Sequence, residues 1–144
     1  MPSNDISRLQ RLLAAFPSGA FSVLSVLLIL WLTLSPDPLG ENSPRLFPGA
    51  DKVAHFLMFG FLTVMFAFDR TRRDRWRPVS RSFIISAAVA STLLGCLIEV
   101  AQLKMELGRG FEYTDMLADF VGATLSGLGW ALIVNPLLRR HHQQ

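Results

Sequence analysis

Two stretches of this chain, residues 21–34 and 83–98, carry no charged side chain on any face. An amphipathic helix of a soluble bundle needs a polar outer stripe, and neither stretch can supply one. Lipid must therefore face these helices. The runs are continuous rather than alternating, and there are too few of them for a membrane β-barrel. Composition agrees, with 51% hydrophobic and only 17% charged residues where a soluble domain would carry roughly a quarter charged.

A helix crossing the hydrocarbon core takes about 20 mostly apolar residues. On that scale the sequence reads as an all-α membrane protein, a single-domain bundle of four transmembrane helices over about residues 20–34, 52–68, 83–103 and 116–135. The first ends at Ser35-Pro36-Asp37-Pro38, where two prolines forbid continuation, and Pro136 breaks the fourth late. No small-x-small cleavage site follows Leu34, so the first span reads as an uncleaved anchor. The lone Cys96 excludes an intrachain disulfide framework and any cysteine-rich zinc site.

The basic residues set the expected orientation. Of 14 Lys and Arg, ten lie in the amino-terminal tail, the connection from Arg70 to Arg81 and the carboxyl tail. Arg45, Lys52, Lys104 and Arg109 fall on the other side. The positive-inside rule then puts both termini in the cytoplasm. The arginine-rich connection is mainly a topology signal with an affinity for anionic headgroups. Nucleic acid is excluded as a partner, since no basic domain or aromatic platform accompanies it.

Ionisable residues within spans are expensive and point to function. They are Asp51, Lys52 and His55 at the start of span two, Glu99 and Gln102 near the end of span three, and Asp115 and Asp119 at the start of span four. Alternating spans bring all three groups to one membrane face, the outer one. Stepping back from Glu99 by fours gives Gly95, Ser91 and Ala87, and forward from Asp119 gives Ala123 and Gly127, with Gly122 beside them. Such small-residue stripes mark close helix contacts, so Glu99 and Asp119 are expected to point inward. The phenylalanines of span two, Phe59 among them, are expected to contact lipid.

These pieces resemble the VanZ-like family of small bacterial membrane proteins, named for a protein associated with resistance to the glycopeptide teicoplanin. The resemblance rests on Asp51-Lys52-Val53-Ala54-His55-Phe56, Glu99-Val100-Ala101-Gln102, and Gly108-Arg109-Gly110-Phe111-Glu112 leading to Asp115, Asp119 and Gly122. It implies a multi-pass protein of the bacterial plasma membrane, linked to the cell envelope, and brings no settled reaction.

The chemistry expected of the cluster is recognition or modification of an envelope lipid or glycolipid headgroup. Lys52 and Arg109 could hold a phosphate, with Asp51, Gln102 and Asp115 beside them, while His55, Glu99 and Asp119 exchange a proton. The alternatives are an accessory subunit whose small-residue stripes dock a membrane-protein partner, and proton or ion passage. A metal is chemically open to His55, Glu99, Asp115 and Asp119. With no H-E-x-x-H helix and no cysteine ligand, no metal or other cofactor is assigned.

Overall fold

A computed structural model describes residues 3–35, 47–105, 111–141 and 143, with the side chains of 3–7 and 141 left aside. Its elements are the helices α1 (Ser3–Ala14), α2 (Ala20–Leu34), α3 (Ala50–Arg73), α4 (Arg81–Met105), α5 (Tyr113–Gly129) and α6 (Asn135–His141). A π-helical turn, Trp130–Val134, joins the last two. Among the described residues there is no strand.

Three helices are long and apolar enough to cross a membrane: α3, α4 and the continuous stretch Tyr113–Arg140. Helix α2 is apolar but has only 15 residues. At 1.5 Å per residue it reaches about 22 Å, short of a hydrocarbon core of about 30 Å. The expected second span gains a further turn, because Asp69, Arg70, Arg72 and Arg73 continue the helix beyond Phe68. Pro136 does not end the last span. It lacks an N–H for the α-helical ladder, and the preceding turn shifts to π pairing, with the Asn135 N–H bonded to the Trp130 carbonyl.

Local chemistry starts two of these helices. In Phe47-Pro48-Gly49-Ala50 and Pro17-Ser18-Gly19-Ala20 the fourth residue's N–H returns to the first carbonyl at 3.2 Å. Gly49 and Gly19 sit third in these turns with φ near +85°, the left-handed position that favours glycine.

Side-chain spacing then decides packing. Ala87, Ser91, Gly95 and Glu99 are all buried on α4, and Asp119, Gly122, Ala123 and Gly127 on α5. Helix α3 packs most extensively on α5, and α4 also packs against α5. Gly122 makes the first contact possible, since a Cβ there would fall 2.2 Å from the Phe56 carbonyl oxygen. One apolar core joins Ile29, Phe59, Leu62 and Ile98, and a second joins Ala67, Val79, Ile84 and Trp130. The outward faces remain apolar, with Leu24, Leu27, Ile85, Val89, Leu93, Leu125 and Leu128 exposed. That inside-out pattern suits lipid as solvent.

Candidate functional site

The three groups of polar residues meet at one end of the bundle, in two tiers. In the buried tier, α3 supplies His55, α4 Glu99 and α5 Asp119, with 6%, 0% and 0% of their surface exposed. His55 Nδ1 lies 2.9 Å from Asp119 Oδ1, and its Nε2 lies 3.9 Å from Glu99 Oε1. The backbone N–H of Glu112 donates to Glu99 Oε2 at 3.1 Å. Glu99 Oε1 and Asp119 Oδ2 are buried without a hydrogen-bond partner. Such groups are uncommon, and each costs about 1–3 kcal/mol. Gly95 makes room for the Asp119 carboxylate, because a Cβ at 95 would fall 2.1 Å from Asp119 Oδ2.

The outer tier is organised by Lys52. Its ammonium donates to Asp51 Oδ2 at 3.0 Å and to Glu112 Oε2 at 2.5 Å, and lies 3.3 Å from Asp115 Oδ1. Thr114 Oγ1 donates to the same Glu112 oxygen. The Lys52 hydrogen bond, helped by that of Thr114, holds the Glu112 carboxyl below the usual glutamate range.

Asp51, Lys52, His55, Glu99, Asp115 and Asp119 are thus gathered in one cluster. Gln102 faces elsewhere: it is buried, and its amide donates to the Thr33 carbonyl at 2.9 Å, tying α4 to the end of α2. Arg109 and its flanking glycines lie outside the described residues. The lipid-contact expectation fails at Phe59, which is fully buried and stacks on His55 with ring centroids 5.9 Å apart. Its place four residues after His55 puts both on one helix face, a signal the sequence carried. A groove of about 370 Å³ runs down the lipid side of α3 and α5, lined by Lys52, Val53, Phe56, Thr114, Leu117 and Val121. A larger groove of about 780 Å³ lies between α4 and α5, from Arg81 to Leu93 and Phe120, and none of the clustered residues lines it.

The opposite end holds residues that sequence reasoning passed over. Asp69 accepts from the Ser22 N–H at 2.8 Å, the Ser22 hydroxyl at 2.7 Å and Arg72 at 2.8 Å. Arg72 also donates to the Leu13 and Phe16 carbonyls. One arginine of the presumed topology signal is therefore a buried structural cation joining three helices. The Asn135 side chain pairs with both the N–H and the carbonyl of Val79, at 3.0 and 2.8 Å. An i, i+3 opposite-charge pair at a helix end was the available signal for Asp69 and Arg72.

Helices suited to lipid around a polar cluster define a membrane protein. The chain matches the VanZ/LLP1 family over residues 12–135 and belongs to that family. Neither the curated proteins nor the solved structures contain a match to it.

Proposed function

We propose that this VanZ-family membrane protein binds, and can modify, the headgroup of an envelope lipid or glycolipid. In this reading α2 completes a four-span bundle in a bacterial plasma membrane, with both termini cytoplasmic and the cluster at the outer leaflet. The observation that carries the reading is the placement of Lys52 over the groove between α3 and α5. Phe56, Leu117 and Val121 would lie along an acyl chain whose anionic headgroup meets the ammonium in place of Asp115, the longest of its three carboxylate contacts. A cation above an apolar groove that opens to lipid suits an amphiphile better than a soluble metabolite. Arg109 adds a second cation in this proposal, its planar fork matching a phosphate. His55 between two carboxylates supplies the proton-exchange chemistry that modification would need.

The small-residue stripes favour this reading over an accessory subunit docked through them. Gly95 and Gly122 are occupied within the bundle, against Asp119 and Phe56. Glycopeptide resistance is not carried over to this chain.

Lipid retained by the purified protein, measured by native mass spectrometry, tests the proposal. Lys52→Ala and Arg109→Ala should each lose the bound anionic lipid while the protein accumulates normally in the membrane. Retention in both variants, or a loss matched by lost protein, would favour a purely structural cluster.

A further inference from the structure

We propose that His55, Glu99 and Asp115 form a binding site for one divalent transition-metal cation, Zn²⁺ or Mn²⁺, with Asp119 as its positioning residue. One ligand atom from each of the three lies within 4.8 Å of the others. All three residues are at least nine-tenths buried. Three helices that share no local sequence deliver them to a single point.

The hydrogen bonding around that point is arranged for a cation. Asp119 engages His55 Nδ1 at 2.9 Å, and since a carboxylate accepts only from an N–H, Nδ1 is the nitrogen that carries a proton when the ring is neutral. In that tautomer Nε2 keeps its lone pair free for a cation, with Glu99 Oε1 3.9 Å away. A carboxylate behind a histidine is the usual support of a metal-binding imidazole, fixing its tautomer and raising its basicity. Glu99 is held in the same manner: the Glu112 N–H takes Oε2, and Oε1 faces the cluster with no hydrogen-bond donor. Asp115 Oδ1 has Lys52 at 3.3 Å. Lys52 can release it and still hold Asp51 and Glu112.

Charge points the same way. Asp51, Glu99, Glu112, Asp115 and Asp119 face only Lys52 and, when protonated, His55 among the described residues. A divalent ion would offset the buried part of that excess where the dielectric makes it most costly. One imidazole and two carboxylates suit Zn²⁺ or Mn²⁺. Metal–ligand bonds of about 2.0–2.2 Å would draw the three atoms together by about 1 Å, within reach of side-chain torsions. Three protein ligands leave a coordination position open, as in catalytic rather than structural sites. The inference does not rest on lipid binding.

The competing arrangement is a protonated His55 bridging Asp119 and Glu99 with no ion. The full-length chain in detergent decides between them, with His141→Ala and His142→Ala introduced to remove the adjacent tail imidazoles. After stripping with chelator and dialysis against Zn²⁺ or Mn²⁺, elemental analysis should find one ion per chain. Absence of a stoichiometric ion overturns the site. His55→Ala and Glu99→Gln should abolish retention, and Asp119→Asn should weaken it about 10- to 100-fold. Undiminished binding in His55→Ala or Glu99→Gln overturns it too. Should those variants fail to fold, X-ray absorption at the zinc edge of the parent still decides. One imidazole with oxygen donors supports the site, and a sulfur from Cys96 or a shell without imidazole refutes it.

Discussion

Replacing Gly122 with alanine would test whether the contact between α3 and α5 sets both stability and site geometry. The added Cβ falls 2.2 Å from the Phe56 carbonyl oxygen and 2.9 Å from its carbonyl carbon. A carbon rests no closer than about 3.3 Å to a carbonyl oxygen, so the helices must part by about 1 Å. Both clashing atoms are main chain, and no rotamer change relieves them. Overpacking costs about 1–3 kcal/mol, and alanine returns about 1 kcal/mol of helix propensity, leaving a net loss of up to about 2 kcal/mol. The same separation acts on His55, one residue before Phe56, and on Asp119, one turn before Gly122. Their 2.9 Å contact would stretch beyond hydrogen-bond reach. Reversible unfolding in mixed detergent micelles, followed by circular dichroism, reads the stability, and the His55 ring nitrogen resonances read the contact. Gly129→Ala is the control, since nothing lies within 4 Å of its added methyl. A Gly122→Ala protein as stable as the parent, with an unchanged His55 signal, would refute the reasoning.

Other perturbations separate support from site. Asp69→Ala should cost about 3–5 kcal/mol, because it leaves the Arg72 guanidinium buried without its carboxylate; the Asp69→Ala, Arg72→Ala double variant should lose less than the sum of the singles, and strict additivity would contradict the pairing. Asn135→Ala leaves the buried N–H and carbonyl of Val79 without partners, a loss of about 1–3 kcal/mol for each group, read by the same unfolding measurement; an unchanged midpoint would show that the pair is dispensable. Acidity should act on the outer tier late. With the Glu112 pKa lowered by Lys52, the stability from that pair is present above the ordinary glutamate pKa and lost as pH falls through the lowered value. The Glu112 side-chain carboxyl, followed by carbon-13 NMR against pH, should therefore protonate only below the ordinary glutamate range, and a titration already at or above that range would count against the ion pair.

How much of this was legible in the sequence depends on where each partner lies. The stripe Ala87, Ser91, Gly95 and Glu99 could be read because a single helix fixes the spacing of its own face, and all four are buried. The shared end of His55, Glu99 and Asp119 followed from alternating spans. Gln102 departs from its expected place beside Lys52 and Arg109, since three residues from Glu99 turns it partly toward another neighbour, and the approach of α2 decides its hydrogen bond. Asp69 and Asn135 fell at the margins of the apolar runs, where a hydropathy window sees only a boundary. Their partners, Ser22 and Val79, are remote in sequence and are brought near only by packing.

The two ends of the bundle handle buried charge differently, and the difference separates architecture from function. At the arginine-rich end both oxygens of Asp69 have donors, from Ser22 and Arg72. That carboxylate is fully satisfied within the chain, although Arg72 Nε and Thr71 Oγ1 beside it are buried without a hydrogen-bond partner. At the other end Glu99 and Asp119 are at least as deeply buried, yet each keeps one oxygen without a donor. A bundle that needed only stability could place apolar side chains there at no loss. The glycine under Asp119 and the backbone N–H on Glu99 instead hold these carboxylates in position. Incomplete satisfaction at fixed geometry is what a site for something outside the chain requires, whether a cation or a headgroup. The Asp69 carboxylate needs no such guest, so exchange of cations or lipids should alter the stability of the His55 end and leave the Asp69 end unchanged.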